Sequence, residues 1–91
     1  MGLYMMFGKY SPDSLQEISS ERTDKAEELI KNNGGTVKDG YALLGRSDLL
    51  FIVDFPDTAS AVKTSVDMGK KLGISFATTP AVTIKEFDKM F

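Results

Sequence analysis

Cysteine and histidine are both missing from the 91-residue chain. Without cysteine there is no disulfide and no thiol redox centre. Without histidine there is no imidazole base for a nucleophile system and no histidine-ligated haem, and a zinc staple loses its usual ligands. Acid–base chemistry falls to Asp, Glu, Lys or Tyr, each of which needs surroundings that tune its pKa. An excess of one charge is missing too: 11 basic residues face 13 acidic ones, for a net charge of −2. The lysines are scattered among acids, so no basic face for nucleic acid is expected. No apolar run approaches the roughly 18 residues of a membrane span. The apolar opening, Met1 to Tyr10, has neither a basic n-region nor a cleavage site, so it does not read as a signal peptide. The expectation is a cytoplasmic protein with no metal, no cofactor, no membrane and no nucleic-acid partner.

At this length the chain is one domain, residues 1–91. Such a domain buries only about 60–65% of its unfolded surface, so its stability is marginal alone. With disulfides and zinc set aside, a partner subunit is the remaining common support.

Apolar and turn signals divide the chain into a regular series. Leu3 to Lys9 reads as a strand. Ser11-Pro12-Asp13 then sets Ser at an N-cap, Pro at the first helical position and an acid in the first turn. Leu15, Ile18, Ala26, Leu29 and Ile30 recur at near-helical spacing, and Gly34-Gly35 ends the helix. The polar Ser19-Ser20-Glu21 marks where that helix would divide. Thr36 to Leu44 predicts a second strand, Gly45-Arg46-Ser47-Asp48 a turn, and Leu49 to Phe55 the strongest strand, so that strands two and three form a hairpin. Pro56-Asp57 opens another helix, with Ala59, Val62, Val66 and Leu72 as its apolar stripe and Gly73 as its stop. Ile74 to Val82 predicts a fourth strand. Thr83-Ile84-Lys85-Glu86 is a capping box that starts a short last helix through Phe87 and Met90.

This order, β-α-β-β-α-β with an added helical turn, predicts an α+β ferredoxin-like fold with a four-stranded antiparallel sheet in the order 4-1-3-2. Strands one and three are nearly all apolar, as central strands should be. Lys38 and Asp39 in strand two and Pro80 in strand four belong on edges. Parity puts Leu3, Met5 and Phe7 on one side of strand one and Tyr4, Met6 and Tyr10 on the other. In strand three it separates Leu49, Phe51, Val53 and Phe55 from Leu50, Ile52 and Asp54. Both sheet faces are therefore apolar, yet the helices can cover only one. A second apolar face on a small domain marks an interaction surface. Two sheets packed face to face would cover it, so a homodimer is expected.

A few polar residues stand out. Asp54 shares a strand face with Leu50 and Ile52, where a desolvated carboxylate would act as a base or bind a polar ligand; at a strand end it would instead pair with a lysine or cap the following turn. Tyr4 and Tyr10 share one face of strand one, as ligand-orienting hydroxyls or as ordinary core aromatics. Arg46 and Asp48 sit in one tight turn, where Arg46 would clamp an anion or simply pair with Asp48. Ala59, Ser60 and Ala61 make the start of the second long helix small, which leaves room for a cavity against the sheet.

Gly8-Lys9-Tyr10-Ser11-Pro12, Gly34-Gly35 and Leu44-Gly45-Arg46-Ser47-Asp48 running into Phe51-Ile52-Val53-Asp54-Phe55-Pro56-Asp57 resemble the GYD domain family in order and spacing. Thr83-Ile84-Lys85-Glu86-Phe87 matches the family's end. The family takes its name from a Gly-Tyr-Asp in the loop where this chain has Gly45 and Asp48 but Ser47 in place of an aromatic. The resemblance implies a dimeric α/β barrel. Among barrels of that kind are cofactor-free monooxygenases, isomerases and ligand-sensing domains, and the fold alone does not choose among them. The polar residues converge on no single point, so the expected function is a homodimeric module that binds a small molecule or a protein without catalysis. The alternative is a cofactor-independent, monooxygenase- or isomerase-like enzyme acting on a small apolar substrate.

Overall fold

A computed structural model describes residues 2–91. Met1 lies outside the described residues. The elements are β1 (Gly2–Tyr10), α1 (Pro12–Leu15), α2 (Ser20–Asn32), β2 (Thr36–Ala42), β3 (Leu49–Phe55), α3 (Thr58–Leu72), β4 (Ile74–Ala81) and α4 (Ile84–Lys89). The four strands form one antiparallel sheet in the order β2-β3-β1-β4, which is the expected 4-1-3-2 read from the other edge.

Local chemistry accounts for most of the boundaries. Ser11 caps α1, its hydroxyl accepting from the backbone N–H of Ser14. The first helical segment stops after one turn because Ser19 is extended and starts α2 afresh, its side chain accepting from the N–H of Arg22. The helix divides at the polar Ser19-Ser20-Glu21, as expected, but Leu15 and Ile18 around the break lie exposed instead of joining the apolar stripe. Asp57 caps α3, and hydrogen bonds from Ser60 hold its carboxyl below the ordinary carboxylate value. Gly73 ends α3 in the left-handed region at φ +67°, where a side chain is strained. A bulge at Lys38 disturbs the pairing of edge strand β2 with β3, as edge strands often do.

Helices α2 and α3 pack on the face that carries Tyr4, Met6, Phe51, Val53, Phe55 and Ile74, with Ala26, Ile30, Met68 and Leu72 filling the layer between. Gly8 lies on the same side, pressed so close to the ring of Phe76 that a Cβ would sit 2.6 Å from it. One expectation fails here. The buried stripe of α3 is Ala61, Thr64, Met68 and Leu72, whereas Val62 and Val66 remain 56% and 49% exposed and Ala59 faces solvent. The helix can turn its polar Thr64 inward because the hydroxyl donates to the carbonyl of Ser60 one turn back, at 2.8 Å, so burial leaves no donor unsatisfied.

The other sheet face is uncovered. Register places Tyr41, Leu50, Phe7 and Ala77 in one row across the four strands, Asp39, Ile52, Met5 and Thr79 in the next, and Thr36, Asp54, Leu3 and Ala81 in the last. No helix lies over these rows.

Candidate functional site

Two regions outside the core carry functional groups, and they lie on opposite sides of the sheet. The first is the open face. Leu3, Met5, Leu50 and Ile52 are half-buried only by their neighbours, and Phe7 and Tyr41 are more exposed. Asp54 sits among them, between Leu3 and Thr36. Its Oδ1 is out of contact with water and has no hydrogen-bond partner. It neither pairs with a lysine nor caps the turn, since Asp57 does the capping. An unpaired oxygen in such a place costs free energy.

The second region is a groove between α3 and edge strand β4, of about 240 Å³, lined by Tyr4, Ala61, Val62, Val66, Phe76 and Pro80 together with three hydroxyl residues. The hydroxyls are paired. Tyr4 Oη and Thr58 Oγ1 lie 2.8 Å apart, and Ser65 Oγ and Thr78 Oγ1 lie 2.6 Å apart. Tyr4 is otherwise a core residue, with its ring edge-on to Phe55 at 5.6 Å. The lining is uncharged, so the groove suits a small neutral ligand with an apolar body. The small start of α3 pointed to such a space; Thr58, Ser65 and Thr78 did not stand out in the sequence, because their pairing depends on how α3 lies against β4.

The remaining candidates form a structural knot at the far end of the sheet. Pairing of β3 with β1 stops at Leu49 and Gly8. Asp48 then continues the ladder with its side chain: its N–H donates to the carbonyl of Gly8, and its Oδ2 accepts the N–H of Tyr10 at 3.0 Å. Its own carbonyl accepts from the N–H of Leu43 across the turn. Asp48 therefore binds the β2–β3 turn to the end of β1. The Tyr10 phenol is pushed above its ordinary pKa, first by burial and then by the Asp48 carboxylate, with the Arg22 guanidinium acting in the opposite sense. Arg46 is exposed, and its carbonyl lies 3.5 Å from Lys9 Nζ. It makes no ion pair with Asp48.

Of the five residues singled out in the sequence, the fold brings together only Tyr10 and Asp48. Tyr4 and Tyr10 share a face but are six positions apart along one strand, roughly 20 Å at ~3.3 Å per residue. Asp54 is on the opposite face from both.

Among the described residues, no helix is long and apolar enough to cross a membrane. The family model described as GYD domain matches residues 4–91. No curated protein matches the chain. Among solved structures, the leucine response regulatory protein of Mycobacterium tuberculosis is similar at a TM-score of 0.58 and 8% identity, over 90% of this chain and 51% of that one. A structure described only as that of a point mutant is similar at a TM-score of 0.59 and 8% identity, over 90% of this chain and 50% of that one. At such identity the likeness shows the fold alone, and the chain spans about half the length of each.

Proposed function

This chain belongs to the GYD domain family, and from that premise we propose that it is a non-catalytic homodimeric binding module of the cytoplasm whose two copies join through the open faces of their sheets. The observation that carries this reading is the apolar set Leu3, Met5, Phe7, Leu50 and Ile52 on one sheet face, which nothing among the described residues covers. Packing it against a copy of itself removes the exposed patch from water at about 25 cal/mol per Å² of apolar area. In the dimer, the groove between α3 and β4 stays open on the outer side and is the place for a small neutral ligand.

The absence of catalysis is argued from where the titratable groups lie. Tyr4 has its hydroxyl engaged by Thr58. Tyr10 is held protonated at the other end of the strand. Asp54 faces away from the groove. The second reading, a cofactor-independent enzyme with a small apolar substrate, draws on the same groove and the Tyr4 hydroxyl; it ranks below the first because no acid and base meet there.

Sedimentation equilibrium tests the module. Wild-type protein sediments as a dimer at about 100 μM, a concentration at which even an interface of micromolar affinity is largely formed. Ile52→Lys, which places a charge in the middle of the face, sediments as a folded monomer. A wild-type monomer at that concentration overturns the reading.

A further inference from the structure

The end of the chain has no home in its own subunit. Every residue from Val82 to Phe91 is exposed, and α4 buries none of its side chains. Ile84, Phe87, Met90 and Phe91 are 77%, 52%, 62% and 95% exposed. Within α4, at ~100° per residue, Ile84 and Phe87 share one side and Lys85, Glu86 and Lys89 the other, and Met90 and Phe91 follow in the closing turn. The rings of Phe87 and Phe91 already meet at 5.3 Å, forming one apolar ridge.

Three physical arguments say what this ridge is for. First, a helix of 6 residues has almost no stability of its own in water, where even ~12–15 residues are marginal. The cap from Thr83, whose hydroxyl accepts the N–H of Glu86, does not make up that deficit, so the helix needs packing that its own subunit does not supply. Second, the radius of gyration is 13.3 Å, above the roughly 12 Å of a compact domain of this length, as expected when a segment stands off the body. Third, the open sheet face is small. Its four strands, ~4.8 Å apart and about seven residues of ~3.3 Å long, project to roughly 450 Å². Its central side chains already shield one another, whereas each partner in a standard interface buries about 800 Å². Phe87 and Phe91 together add roughly 300 Å² of exposed residue surface, at ~150–250 Å² for a whole aromatic residue. The two patches are also close in the chain. Ala81, in the last row of the open face beside Leu3, is separated from α4 only by Val82 and Thr83.

We propose that α4 docks on a second copy of this chain, laying Ile84, Phe87, Met90 and Phe91 along the border of the joined sheets so that each subunit clasps the other. The proposal rests on the sheet-face dimer of the preceding subsection and adds the segment that completes it. The contact is isologous: two copies of the clasp form around one twofold axis.

The test compares three proteins by sedimentation equilibrium, with far-ultraviolet circular dichroism to verify the fold: wild type, Ile52→Lys, and the double variant Phe87→Asp with Phe91→Asp. The double variant alters no core residue, so its fold is kept, and loss of two buried aromatic anchors raises the dimer dissociation constant by about a hundredfold or more. Phe87→Leu with Phe91→Leu recovers most of that loss. A double variant that dimerises like wild type while Ile52→Lys is monomeric overturns the clasp and leaves the sheet-face dimer standing; α4 then docks on something else. A wild-type monomer overturns both.

Discussion

At the scale of single residues, two of the polar positions that stand out in the sequence, Tyr10 and Asp48, meet at a joint between β1 and the β2–β3 turn. Asp48 supplies a carboxylate where the β1–β3 ladder runs out of backbone carbonyls. That gives the aspartate ending the Gly45-Arg46-Ser47-Asp48 loop a structural role. The role was not legible in the sequence, because it depends on the register that brings Gly8 opposite Leu49. Tyr10, at the same joint, carries a measurable consequence. Burial first, and Asp48 second, raise its phenol above the ordinary value of 10.0. Between that value and the raised one, the unfolded chain gives up a proton that the folded chain retains, so stability falls as pH rises through this alkaline window; below pH 10 the contribution is fully present. Tyr10→Phe removes the titration and no hydrogen bond of the hydroxyl. In urea melts taken between pH 8 and pH 11, the variant is expected to lose less stability over the alkaline limb than wild type. Equal slopes would mean that the phenol is as free in the folded protein as in the unfolded one.

At the scale of elements, the strands were legible and one helix was not. Period-two patterning separates Phe51, Val53 and Phe55 from Leu50, Ile52 and Asp54 without ambiguity, and the structure divides them that way. For α3, Ala59, Val62, Val66 and Leu72 look like the apolar stripe, yet the helix is rotated so that Thr64 and Ala61 go inside. A residue-type reading cannot foresee this, because the hydroxyl of Thr64 is satisfied within its own helix by Ser60. The rotation is what leaves Val62 and Val66 to wall the groove beside β4. The junction after α3 is sharply determined. Gly73 is left-handed, its carbonyl accepts from both the N–H of Ser11 and the hydroxyl of Ser14, and a Cβ on it would lie 3.0 Å from Ser11 Oγ. Gly73→Ala is therefore expected to cost about 1–2 kcal/mol from the backbone conformation alone, with crowding of Ser11 added to it. Chemical denaturation measures this directly, and a cost near zero would show that the junction relaxes into another conformation.

At the scale of the whole molecule, helices cover one face of the sheet, and the opposite face, apolar along its two central strands, has no cover among the described residues. Both apolar faces were visible in the sequence, but which of them the helices take was not, since parity is symmetric until the helices are placed. With Tyr4, Met6 and Phe51 inside, the face left for a partner is that of Met5, Ile52 and Asp54. The chain's lack of cysteine makes that assignment directly measurable, because any introduced thiol is the only one in the chain. Met5→Cys places it in the middle row of the open face, and Glu27→Cys places a control on the exposed surface of α2. Each is treated with a short bis-maleimide at about 100 μM protein, where the dimer is expected, and cross-linked dimer is read on a denaturing gel. The account predicts efficient cross-linking through position 5 and only background through position 27. Background cross-linking at both positions, in protein that remains folded, would contradict it.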